Sequence, residues 1–121
     1  MRKILVVDDE MDICDFVKNF FQERGYRVLT ALSGEDAICI AKIEKPELVL
    51  LDVRMKGMDG IAALRHLREI NKAQKVIMVT ALEDQDKMDE ACRLGACDYI
   101  TKPLTLDYLE KAVEKSMKDT I

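Results

Sequence analysis

Ile4-Leu5-Val6-Val7-Asp8-Asp9-Glu10 is the stretch on which the fold turns: four apolar residues run without a break into three carboxylates. A run this short and apolar on both faces is a strand covered from both sides, the kind found in a parallel sheet with helices above and below. Leu48-Val49-Leu50-Leu51-Asp52 repeats the pattern, again apolar and again closed by an acid. Residues 26–31, 76–79 and 99–100 read as three further strands.

Helical patterns fill the intervals. Over residues 10–24, Ile13, Phe16, Val17, Phe20 and Phe21 recur at helical spacing, and Gly25 stops the helix. Ser33-Gly34-Glu35-Asp36 has the form of a capping box and opens a helix that runs to about Glu44, before Pro46. Gly57-Met58-Asp59-Gly60 leads into a helix with Ile61, Leu64 and Leu67 inward. Residues 84–94 form a weaker helix on Met88, Ala91 and Cys92, and after Pro103 a last helix buries Leu109, Ala112, Val113 and Met117. Strands alternating with helices, joined by right-handed crossovers, predict an α/β fold: a doubly wound, five-stranded parallel sheet in a three-layer α/β/α sandwich.

Composition narrows the function. At 121 residues, the chain fits one domain, 1–121. The 23 acids against 19 bases leave a net charge of -4, the wrong sign for direct nucleic-acid binding. No apolar run reaches the length of a membrane span, and residues 1–4 lead straight into a strand, so the expectation is a cytoplasmic protein without an anchor. Cys14, Cys39 and Cys92 fall inside helical segments with no CxxC pair, and read as reduced thiols serving as small core residues. The one histidine, His66, has no cysteine at zinc-ligand spacing and lies among Arg65 and Arg68, on a solvated face.

In a doubly wound sheet, ligands bind beyond the carboxyl ends of the strands, where the strand order reverses. Those ends carry Asp8-Asp9-Glu10, Asp52, Thr80-Ala81 and Thr101-Lys102-Pro103. Any one of the acids alone reads as a turn or a helix cap; the conjunction reads as a site. Crowded carboxylates repel and invite a cation, and oxygen donors select Mg²⁺, with Mn²⁺ as the alternative. Lys102 is a point cation for a phosphoryl oxygen, and Thr80 a hydroxyl donor to the same group. An aspartate beside such a metal and a lysine is equipped to attack phosphorus.

With those residues in order, the chain resembles the receiver domains of two-component response regulators. The likeness is carried by Ile4 to Glu10, Leu50-Leu51-Asp52-Val53-Arg54-Met55, Met58-Asp59-Gly60, Val79-Thr80-Ala81 and the run from Leu94 to Pro103. The resemblance implies the flavodoxin-like strand order 2-1-3-4-5. It also implies a switch that catalyses its own phosphorylation and slow dephosphorylation, rather than an enzyme with an outside substrate. Asp52 would take a phosphoryl group from a sensor histidine kinase or a histidine phosphotransfer protein. Asp9, Asp52 and the Arg54 main-chain carbonyl would ligate Mg²⁺, with Asp8 assisting through water. Thr80 and Tyr99 would switch together, Ala81 and Pro103 would support the phosphate loop, and the Lys102-Pro103 bond would be cis. The surface of the fourth helix, fifth strand and last helix would control a downstream output protein or a trimmed output domain, as a monomer or a phosphorylation-linked dimer.

Departures are few. Lys56 stands where the family very often carries proline, and Leu104 where phenylalanine is common; Arg54 and Leu82 occupy positions that tune phosphoryl lifetime in the family. A haloacid-dehalogenase-type phosphatase wants an acid at position 54, where Arg54 stands, and a flavodoxin-like cofactor would be repelled by Asp8-Asp9-Glu10. A binding module independent of phosphorylation is the remaining alternative, against which every chemical position is filled.

Overall fold

The structure, a computed structural model, describes residues 2–80, 85–96, 98–101 and 105–118. Five strands alternate with five helices: β1 (Lys3–Val7), α1 (Met11–Gln22), β2 (Arg27–Ala31), α2 (Gly34–Glu44), β3 (Leu48–Asp52), α3 (Gly60–Ile70), β4 (Lys75–Thr80), α4 (Gln85–Arg93), β5 (Asp98–Thr101) and α5 (Leu106–Lys118). The strands form one parallel sheet in the order β2-β1-β3-β4-β5. β1 and β3 are neighbours in register, Val7 opposite Leu51, so the next residues along, Asp8 and Asp52, leave the sheet side by side. This is also where the strand order reverses.

The pleat sorts the apolar side chains into two cores. Leu5 and Val7, with Val49, Leu51, Val76 and Met78, face α2 and α3, where Ala37, Ala41, Ile61, Leu64 and Leu67 close the layer. Ile4 and Val6, with Leu48, Leu50, Ile77 and Ile100, face α1 and α5 through Val17, Phe21, Leu109, Val113 and Met117. The alternation within a wholly apolar strand is invisible in hydropathy, because both faces are buried.

Helix ends follow local chemistry. Ser33 accepts the Asp36 N–H at 3.1 Å and Asp59 accepts the Ala62 N–H at 2.9 Å, capping α2 and α3. Lys45 ends α2 in the left-handed conformation at φ 49° and turns the chain toward Pro46. Two side-chain expectations need correction. Phe16 is 52% exposed: the buried stripe of α1 is Cys14, Val17 and Phe21, and Phe16 lies about 100° around the helix from Val17. Of the cysteines read as core residues, Cys14 is buried but Cys39 and Cys92 are exposed. On α2 the buried stripe is Gly34, Ala37 and Ala41, and Cys39, two residues past Ala37, lies off it.

Candidate functional site

Asp8 and Asp52 are among the few buried polar residues, 3% and 4% exposed. Each leaves its strand through a tight local turn: Asp8 Oδ1 accepts the Glu10 N–H at 2.9 Å, and Asp52 Oδ1 accepts the Arg54 N–H at 3.2 Å. The strand ends themselves are held by the sheet, with the Asp8 N–H on the Ala31 carbonyl and the Val53 N–H on the Val79 carbonyl, both at 3.1 Å. Asp9 Oδ2 accepts the Lys56 N–H at 3.2 Å. Oxygens of Asp8, Asp9 and Glu10 lie within 4.8 Å of one another. Three hard oxygen donors at that spacing suit Mg²⁺ or Mn²⁺ and are a poor match for a thiophilic metal.

α3 is pressed into the back of this crevice. Gly60 donates its N–H to the Val53 carbonyl at 2.8 Å. A Cβ at Gly60 would fall 2.1 Å from the Asp52 carbonyl oxygen, so the glycine is there for space rather than for backbone freedom. In front, an open groove of about 400 Å³ is lined by Asp9, Val53, Arg54, Met55, Lys56, Asp59 and Lys87. Asp59 joins it to α4: one oxygen caps α3 and the other meets Lys87 Nζ at 3.4 Å. Burial pushes the Asp59 carboxyl up, but the N–H groups of Ala62 and Ile61 and the Lys87 ammonium outweigh it, and its pKa falls below the usual value.

Sequence reading and structure meet unevenly. Asp8, Asp9 and Asp52 lie at neighbouring strand ends, and the Arg54 main chain contacts the Asp52 carboxylate. Thr80 closes β4, one residue beyond Val79, the register partner of Asp52. Ala81, Leu82, Lys102, Pro103 and Leu104, which the sequence marks out, lie outside the described residues. Tyr99 on β5 donates its hydroxyl to Cys92 Sγ on α4 at 3.0 Å; burial first, then this contact, push its pKa up to about 12. His66 sits on an exposed helix face, its Nδ1 3.7 Å from Glu69. Glu10, which the strand-end pattern singles out only as part of an acidic run, completes the oxygen trio with its carboxylate. The Asp59–Lys87 pair was also missed; the cap signal of Met58-Asp59-Gly60 could have pointed to Asp59, while Lys87 left no local signal.

Residues 4–114 match the family described as "Response regulator receiver domain". The chain is 39% identical over 117 residues to transcriptional regulatory protein ZraR of Salmonella typhimurium, covering 97% of itself and 26% of that protein. It thus spans about a quarter of the length of that relative. To sporulation initiation phosphotransferase F of Bacillus subtilis it is 38% identical over 114 residues, 94% of this chain and 92% of the relative. The solved CheX–CheY–BeF₃–Mg²⁺ complex of Borrelia burgdorferi contains a chain that superposes with a TM-score of 0.91 at 29% identity, over 96% of this chain and 89% of that one.

Proposed function

Because the chain belongs to the response regulator receiver domain family, we propose that Asp52 is its phosphoacceptor, charged by a phosphohistidine on a sensor kinase or phosphotransfer protein. One observation carries this reading: a carboxylate 4% exposed at the strand-order reversal, with one oxygen held by the Arg54 N–H, beside the Asp8–Asp9–Glu10 oxygens. An O–P bond to the Asp52 carboxylate forms as the N–P bond of the donor breaks, and the departing imidazole takes its proton from solvent. Asp8, Asp9, Asp52 and the Arg54 carbonyl would hold Mg²⁺ or Mn²⁺, which supplies positive charge opposite the phosphoryl oxygens. Lys102 adds a second cation and Thr80 a hydroxyl donor in the active arrangement.

The new charge is nearly two units, and it favours whichever arrangement of the β4–α4 segment brings donors to it. α4, β5 and α5 form the output surface, with Tyr99 as the side chain that follows Thr80. The protein acts as a signalling switch in the cytoplasm, on a downstream partner or an attached output domain.

Incubation with Mg²⁺ and acetyl phosphate, followed by intact mass, tests the acceptor. The wild type gains one phosphoryl group and Asp52→Asn gains none; an undiminished adduct in Asp52→Asn overturns the assignment.

A further inference from the structure

Each of the three aspartates in the crevice has a carboxylate oxygen held by a main-chain N–H, but the donors differ in kind. Those of Asp8 and Asp52 are two residues ahead, in turns each aspartate makes with its own strand end. The donor to Asp9 is 47 residues away in sequence, on the loop that follows Asp52. We propose that Lys56, through its main-chain N–H, is a positioning residue for the cation site: it ties Asp9 across the crevice to the Asp52 loop and sets their spacing before a cation arrives.

The proposal rests on the cation-binding reading above. Asp9 is less buried than Asp8, and the Asp8 and Glu10 oxygens lie within 4.8 Å of its own. Repulsion among them favours an Asp9 side chain swung out into solvent. An N–H donor opposes that motion without neutralising the cluster, and it is stronger for meeting an ionised acceptor. Binding then costs less ordering of Asp9, because that ordering is already present in the free protein. The Lys56 side chain is exposed and has no part in the contact. What matters is that residue 56 carries an N–H, which every residue except proline supplies.

The test therefore compares Lys56→Pro, which removes the donor, with Lys56→Ala, which keeps it and removes the ammonium. Titration calorimetry with MgCl₂ on the whole chain should show a Kd raised about five- to tenfold in Lys56→Pro and changed less than about twofold in Lys56→Ala. Since proline also stiffens the loop, a second measurement avoids it. In metal-free protein, hydrogen exchange at the Lys56 amide should quicken about tenfold in Asp9→Ala. Mg²⁺ binding by Lys56→Pro equal to wild type, or Lys56 exchange indifferent to Asp9→Ala, overturns the tether while leaving the cation site standing. A wild type that binds no Mg²⁺ overturns the cation site, and this role with it.

Discussion

Replacing Gly60 by alanine sets two effects of opposite sign against each other. Gly60 is the first residue of α3 and has no left-handed φ, so on propensity alone alanine should stabilise the helix, by at most about 1 kcal/mol. The space argues otherwise. The new Cβ would stand 2.1 Å from the Asp52 carbonyl oxygen, 2.7 Å from Val53 Cα and 2.8 Å from the Asp52 carbonyl carbon. All three are backbone atoms of the sheet edge, with no rotamer to give way. Relieving the overlap means moving the helix start or the strand end, and overpacking of this kind costs about 1–3 kcal/mol. With the overlap at the upper end of that range, we expect a net loss of about 2 kcal/mol and a fall in Tm of about 8 °C.

Gly34→Ala is the matched control, since Gly34 also begins a helix. Its Cβ would meet Met58, with Sδ at 3.0 Å and Cβ and Cγ at 3.2 Å; Sδ and Cγ can rotate away, and the Cβ contact is relieved by a small shift of the loop. That variant should fall within about 0.5 kcal/mol of wild type. Urea and thermal unfolding of the three proteins measure the difference, and acetyl phosphate labelling reports whether the displaced Asp52 backbone also slows phosphorylation. A Gly60→Ala protein as stable as wild type, or a Gly34→Ala protein that loses more, would refute the reasoning.

Asp59→Asn keeps the cap of α3, because Asn caps about as well as Asp, and removes the charge facing Lys87. Its stability deficit should be present at neutral pH and vanish as pH falls through the lowered pKa of Asp59, since a depressed carboxylate stabilises only while ionised; a deficit unchanged down to pH 2 contradicts the pairing. Arg68 donates to the carbonyls of Leu94, at 2.7 Å, Lys72, Gln74 and Gly95, stapling α3 to the turn after α4. Arg68→Met should cost about 2 kcal/mol in urea unfolding, and Arg68→Lys should recover less than half because an ammonium lacks the planar fork. Cys92→Ala should lower the Tyr99 pKa from about 12 without returning it to 10, because burial, the larger cause, remains. Alkaline ultraviolet titration against Tyr99→Phe reads this. The same raised pKa means that the fold binds the phenolic proton more tightly than the unfolded chain, so stability should decline as pH rises from 10 toward 12.

The sheet could be read from the chain because apolar strands alternate with helical patterns and the two central ones, β1 and β3, run straight into acids, a pattern that admits few folds. The helix faces of α3 and α5 were equally plain, since Leu64 and Leu67 fall on one stripe of α3, and Leu109 and Val113 on one stripe of α5. Phe16 and Cys39 were not, because which part of a broad apolar face meets the sheet is decided by the register of the packed layers and not by the helix alone. In the crevice, Asp8, Asp9 and Asp52 were legible as strand ends. The Lys56 N–H was not: it is a main-chain group, its contact spans 47 residues, and the side chain above it points a reader elsewhere.

α4 meets the body of the protein largely through charge. Lys87 pairs with Asp59 and Arg65 with Glu90 at 3.0 Å, Arg68 holds the turn behind it, and Ala91 is its one buried side chain among the described residues. An element with so little apolar area beneath it opens locally at a fraction of the cost of unfolding the core. Its opening is governed by the ionic medium, since salt screens exposed pairs and leaves buried hydrocarbon almost untouched. Two preparations of this chain that differ only in potassium chloride would then have the same melting core and different α4 exchange lifetimes. A partner that binds α4 would meet a more ordered helix in dilute buffer and a looser one in brine.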